Sequence, residues 1–181
     1  MSPRTRDFAI AGLVILLDQA TKAWASTHYQ VPVPVIPGFF RLALSHNTGA
    51  LFGMFAALGD PWRSILLTLI PVFAVSGIAW LIWRSDPSES SSRLALSLIL
   101  GGAIGNLIDR VTYGHVIDFI DVYWSSPPLS DWLVSTFGTN RWPTFNVADS
   151  GLTIGAALLL FDLFFQRPGE QKKDDIAPVS D

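Results

Sequence analysis

An all-α membrane protein, with four transmembrane helices, a small extracytoplasmic β platform and a short amphipathic surface helix, is the fold this sequence predicts, on three observations. Half of the 181 residues are hydrophobic and only 15% are charged, giving a mean hydropathy of +0.39 that is too high for a soluble domain of this size. Four segments approach the roughly 20 apolar residues that cross a hydrocarbon core of about 30 Å. Lysine and arginine are shared unequally between the segments that join them, as the positive-inside rule requires.

The spans fall at about 8–24, 64–83, 94–109 and 147–165, within a single membrane domain covering 1–166. Arg4 and Arg6 precede the first span, but no small-residue cleavage site follows it, so it reads as a retained helix. After it, Val31 to Phe40, VPVPVIPGFF, and then Arg41 to His46 read as extended chain. Proline forbids a regular helix there and the other residues favour strand, which predicts the β platform. Between the second and third spans lies a short polar turn with Pro87 and a serine run. In the third, Gly101 and Gly105 form a small-xxx-small pair that admits a neighbouring helix. Leu129, Trp132, Leu133 and Phe137 recur at helical spacing and predict the surface helix. The tail, 167–181, is polar and predicted to be disordered. Both termini and the serine-rich turn carry Arg4, Arg6, Arg84, Arg93, Arg167, Lys172 and Lys173, against Arg41, Arg63 and Arg141 in the two opposite segments. Both termini are therefore expected in the cytoplasm.

Several chemistries have no support. The net charge of -3 and the lack of a basic stripe argue against nucleic acid. Without cysteine there is no disulfide and no thiolate nucleophile. His28, His46 and His115 have no ligand spacing, so no metal site is expected, and no GxSxG elbow occurs.

Ionisable side chains inside a membrane need a partner or a function. Asp18 lies about 16 Å along the first helix from Asp7, and Lys22 about 6 Å further, so both fall in the outer half. Their spacing of four suits a supporting pair. Asp109 ends the third span on the same side, where pairing with Arg110 or another helix end is the simplest role. Asp149 opens the fourth span beside Asn146, a good N-cap, and Ser150. Asp118 follows Gly114, which permits a turn back toward the bundle, and taken alone it reads as a solvated loop acid. Acids from separate segments thus reach one depth.

In order along the chain stand Asp18-Gln19-Ala20-Thr21-Lys22, Asn47-Thr48-Gly49-Ala50-Leu51-Phe52-Gly53, Gly101-Gly102-Ala103-Ile104-Gly105-Asn106-Leu107-Ile108-Asp109-Arg110, then Gly114, Val116, Asp118 and Phe119, and Phe145-Asn146-Val147-Ala148-Asp149-Ser150. With these five motifs the chain resembles the lipoprotein signal peptidase family, also called signal peptidase II, over nearly its whole length. The resemblance implies an aspartyl endopeptidase of the bacterial inner membrane, active on the outer side. Its substrates would be prolipoproteins already carrying diacylglycerol, cut just before the lipidated cysteine, with membrane lipid as the other partner and no cofactor. It maps the catalytic pair onto Asp118 and Asp149. Asp18, Lys22, Asn47, Gly49, Asn106, Asp109, Arg110, Asn146 and Ala148 become substrate-binding or site-supporting. The segment 121–143 departs from the family by its length, with Pro127-Pro128 and the surface helix added.

Two carboxylates close together share one proton, which suits one to activate water and the other to polarise a carbonyl. Which aspartate holds the proton is open at this point. Two other readings stand beside the peptidase. A proton-coupled carrier or channel would spread its acids across the membrane depth, and a structural membrane subunit would tolerate replacement of Asp118 and Asp149.

Overall fold

The computed structural model describes residues 2–49, 59, 62–86 and 90–165. The polar tail at 167–181, Pro87 and the motif residues 50–53 lie outside them. Four helices are long and apolar enough to cross a membrane: α1 (Pro3–His28), α2 (Trp62–Arg84), α3 (Ser90–Tyr113) and α5 (Val147–Phe165). The first three extend their expected spans at both ends. Hydropathy marks only the apolar middle of such a helix, whereas capping and tertiary contacts set where it stops. α1 starts where the Ser2 hydroxyl accepts the Thr5 N–H at 3.1 Å, with Pro3 at a position that needs no donor.

α3 is the central helix, packed against α1, α2 and α5. Its glycines make this possible. A Cβ at Gly101 would stand 2.7 Å from the Ala11 carbonyl oxygen of α1, and one at Gly102 would overlap the Ala148 carbonyl oxygen of α5. Both neighbours are backbone and cannot give way, and a Cβ at Gly105 would stand 2.6 Å from the Asp18 carboxylate, so the close approach expected at Gly101 and Gly105 depends on the missing side chains. Ala11, Ile82, Leu96 and Leu100 form the buried apolar core. Phe73, Trp80, Leu163 and Phe164 are exposed, as suits helices that face lipid. Asp7 of α1 and Arg93 of α3 form a buried ion pair, and Arg93 also donates to the Ser85 carbonyl at 2.8 Å.

The platform is a three-stranded antiparallel sheet of β1 (Val33–Ile36), β2 (Phe40–Asn47) and β3 (Val116–Val122), in the order β1-β2-β3. The VPVPVIPGFF stretch does form the first hairpin. β3 is not anticipated by its sequence, VIDFIDV, in which the acids fall three apart rather than on alternate positions. It is buried along most of its length, and such strands read as continuous apolar runs. Ser45 pairs with Asp118 and Arg41 with Asp121, with a bulge in β2 between Leu42 and Ser45. Bridges Ile120 to Phe145 and Tyr123 to Arg141 lay the segment leading into α5 along β3. The surface helix α4 (Leu129–Phe137) forms where its periodicity predicts it and ends at Gly138, whose φ of 75° suits a left-handed cap. Trp132 and Phe137 project from it, edge to face at 5.7 Å.

Candidate active site

Asp118 sits in β3, 1% exposed, and Asp149 is the third residue of α5, half-buried. Asn146 joins them. Its Nδ2 donates to Asp118 Oδ1 at 2.7 Å, while its backbone N–H donates to Asp149 Oδ2 at 3.2 Å and its Oδ1 accepts the Asp149 N–H at 2.8 Å. The last two bonds form a capping box at the start of α5. The N-cap expected at Asn146 is present, and it is made together with Asp149 rather than beside it.

Three asparagines turn their nitrogens to the carboxylates, and in each case the partner of the oxygen decides the orientation. Lys22 Nζ can only donate, and it reaches Asn106 Oδ1 at 2.9 Å. Asn106 Nδ2 is thereby directed to Asp149 Oδ1 at 2.8 Å. Asn47 Oδ1 accepts the Gly49 N–H at 3.1 Å, a local turn bond typical of asparagine, which leaves Asn47 Nδ2 to reach Asp118 Oδ2 at 3.1 Å. Each of the four carboxylate oxygens therefore receives an N–H donor.

Beneath this pair lies an ionic hub. Lys22 Nζ is 2.8 Å from Asp18 Oδ2 and 2.9 Å from Asp109 Oδ2, with all three groups buried. Asp18 Oδ1 accepts the Ala148 N–H at 2.9 Å, and Asp109 Oδ2 accepts that of Ile117 at 3.0 Å. The hub thus ties α1 and α3 to the start of α5 and to the strand that carries Asp118. The helical pairing expected of Asp18 and Lys22 is found. Asp109 takes the second of its two expected partners, Lys22 near the end of another helix, rather than its neighbour Arg110. Consecutive helical residues point some 100° apart, so Arg110 cannot share the inward direction of Asp109. Its charge still acts on Asp149, Asp118 and Asp109.

Gln19 is a participant that sequence reasoning leaves out. Its Nε2 donates to Asp109 Oδ1 at 2.9 Å, to the Gly105 carbonyl at 3.1 Å and to Asp18 Oδ2 at 3.2 Å. No single-sequence signal marks a glutamine beside an aspartate as a cross-helix bridge. Asp118, read alone as a solvated loop acid, is instead interior. Burial, and after it the charge of Asp149, push its carboxyl from the ordinary 3.8 up to about 7, against the opposing effect of Asn47, Asn146 and Lys22.

A multi-pass helical membrane protein with a coupled carboxylate pair at one end of its bundle is the class these features define. Residues 10–165 match the family described as Signal peptidase (SPase) II. The chain is 40% identical over 166 residues to a lipoprotein signal peptidase of Pseudomonas putida, covering 90% of this chain and 89% of that one. Against a lipoprotein signal peptidase of Solibacter usitatus it is 38% identical over 170 residues, covering 93% and 94%. Its fold is similar to a bacterial membrane enzyme solved by the in meso method at 2.3 Å resolution, with a TM-score of 0.73, 27% identity and coverage of 96% and 95%. The chain belongs to the signal peptidase II family, and it is a membrane peptidase.

Proposed function

We propose that this enzyme removes the signal peptide from diacylglyceryl-modified prolipoproteins, cleaving just before the lipidated cysteine, with Asp118 and Asp149 as its catalytic pair. The observation that carries the assignment is Asn146, which binds both carboxylates at once through separate atoms. Lipoprotein signal peptidase is also what the relatives are called. The raised value of Asp118 supports giving it the shared proton near neutrality, although the two carboxyls titrate as a pair. Asp149, ionised, takes a proton from water, and the resulting hydroxide attacks the scissile carbonyl carbon. Asp118 donates to the carbonyl oxygen. The tetrahedral intermediate collapses as the C–N bond breaks: Asp149 passes the proton it took from water to the cysteine nitrogen, and Asp118 recovers its own from the reforming carbonyl. The products are a signal peptide with a free carboxylate and a lipidated protein with a new amino terminus.

Lys22, Asp18, Asp109 and Gln19 set the positions of the asparagines and need not meet substrate. Arg110 adds positive charge near the carboxylate pair. The basic residues near both termini favour a cytoplasmic location for them in the bacterial inner membrane, with the pair opening outward. A gel-shift assay with purified enzyme tests the reading directly. The diacylglyceryl-modified precursor should be shortened and the same precursor without lipid left intact, and a failure to cut the lipidated form would overturn it.

A further inference from the structure

A second charged cluster stands on the sheet apart from the carboxylate pair. Arg41 Nε and Arg141 Nη1 both bind one oxygen of Asp121, Oδ2, at 2.6 and 2.7 Å. The two arginines come from opposite sides. Arg41 lies on β2, paired with Asp121, and Arg141 lies on the flanking segment bridged to Tyr123. Tyr123 follows β3 directly, two residues beyond Asp121, and each guanidinium packs over its ring, at 5.2 and 5.1 Å. Asp121 is three positions from Asp118, hence on the opposite face and about 10 Å along the strand.

Two guanidiniums against one carboxylate leave one positive charge in excess. Among the described residues each arginine spends a single side-chain N–H on Asp121, of the five that a guanidinium carries. Both line a cleft of about 610 Å³ with Asp121, Ser45, Thr144 and Trp142. The cleft therefore offers excess cationic charge, unspent donors, the hydroxyl residues Ser45, Thr139 and Thr144, and an indole. Trp142 is mostly exposed, and tryptophan at the end of a bundle marks headgroup depth. A planar guanidinium fork suits a phosphate.

We propose that this cleft binds the phosphodiester headgroup of an anionic membrane phospholipid, as a site separate from the one that cleaves. Asp121 acts there as an internal competitor, holding both arginines when the cleft is empty and yielding part of their donor set to the phosphate. The bound headgroup tightens β2 and the 141–145 segment against β3, the strand that carries Asp118.

Native mass spectrometry of the full-length enzyme released from detergent tests this, with phosphatidylglycerol, phosphatidylcholine, diacylglycerol or inorganic phosphate added. Phosphatidylglycerol should be retained best and diacylglycerol, which lacks phosphate, not above background. Arg41→Gln together with Arg141→Gln should weaken phosphatidylglycerol retention about tenfold or more, equivalent to about 1.4 kcal/mol. Asp121→Asn gives the opposite sign: it removes the competitor, keeps both arginines and should strengthen retention. Retention of phosphatidylglycerol no better than diacylglycerol, or equal weakening by Asp121→Asn and by the arginine pair, would show a purely structural ion cluster. Displacement of the lipid by inorganic phosphate, or by an acidic peptide at equal concentration, would overturn the lipid assignment.

Discussion

Asn146 and Asp149 bind one another reciprocally across the first turn of α5, the Asn146 N–H to Asp149 Oδ2 at 3.2 Å and the Asp149 N–H to Asn146 Oδ1 at 2.8 Å. The acid is therefore oriented by the device that starts the helix. Asn146→Ala should lose the cap, at about 1 kcal/mol of stability, along with the contact to Asp118. A carboxylate misplaced by an ångström costs on the order of 10²-fold in rate. Steady-state cleavage should show that loss with only a small fall in melting temperature, and an active Asn146→Ala enzyme would remove Asn146 from the centre.

Asp118→Asn and Asp149→Asn should each abolish cleavage, by several orders of magnitude, and combining them should add little, because groups that act as one unit are non-additive. Both variants should remain folded. An asparagine keeps one acceptor for the surrounding N–H donors and sets its own NH₂ against the other, which is tolerable at half-buried Asp149 and costlier at Asp118. Single-turnover assays on the purified variants decide the point. Near-normal cleavage by either one would remove that aspartate from the pair.

The pH dependence follows from Asp118. Its folded value of about 7 lies above the ordinary 3.8, so between those values the unfolded chain is the first to release the proton. The stability that the protonated group contributes is whole below pH 3.8 and is lost as pH rises through about 7. Cleavage should fall over the same upper range as the shared proton leaves. Asp118→Asn should flatten the stability profile between pH 3.8 and about 7, which thermal melts at a series of pH values would show. Parallel profiles for variant and wild type would mean that another group titrates.

Much of this architecture is legible in one sequence, for identifiable reasons. A span of apolar residues has few alternatives in lipid, and the 129–137 periodicity has only one face to bury, so both are read locally. Asp118 is harder to read, since the strand that buries it is paired by β2 from some 70 residues earlier. Lys22 reads as the local partner of Asp18, which it is, but its bonds to Asp109 and Asn106 span more than 80 positions. The Arg41 and Arg141 clasp on Asp121 depends likewise on strand register, which no spacing reveals.

Lys22 is where these long-range contacts can be tested most sharply. It pairs with two fully buried acids, Asp18 and Asp109, and also binds the amide of Asn106. Lys22→Met would keep much of the packing volume while leaving both acids without their cation, and breaking a buried pair in this way costs about 3–5 kcal/mol. The loss should be larger than for Asp18→Asn, which removes one negative charge and leaves Lys22 paired with Asp109. Asp18→Asn should thus lower yield and melting temperature while leaving measurable cleavage in the folded fraction. Lys22→Met should also lose rate in its folded fraction, because Asn106 loses one of the two donors that hold its oxygen, leaving only Asn146 Nδ2 at 3.1 Å to keep the amide turned toward Asp149. Melting curves in detergent, with cleavage measured on the folded fraction, separate these outcomes. A Lys22→Met enzyme as stable as wild type at neutral pH would show that the hub contributes nothing to holding α1, α3 and α5 together.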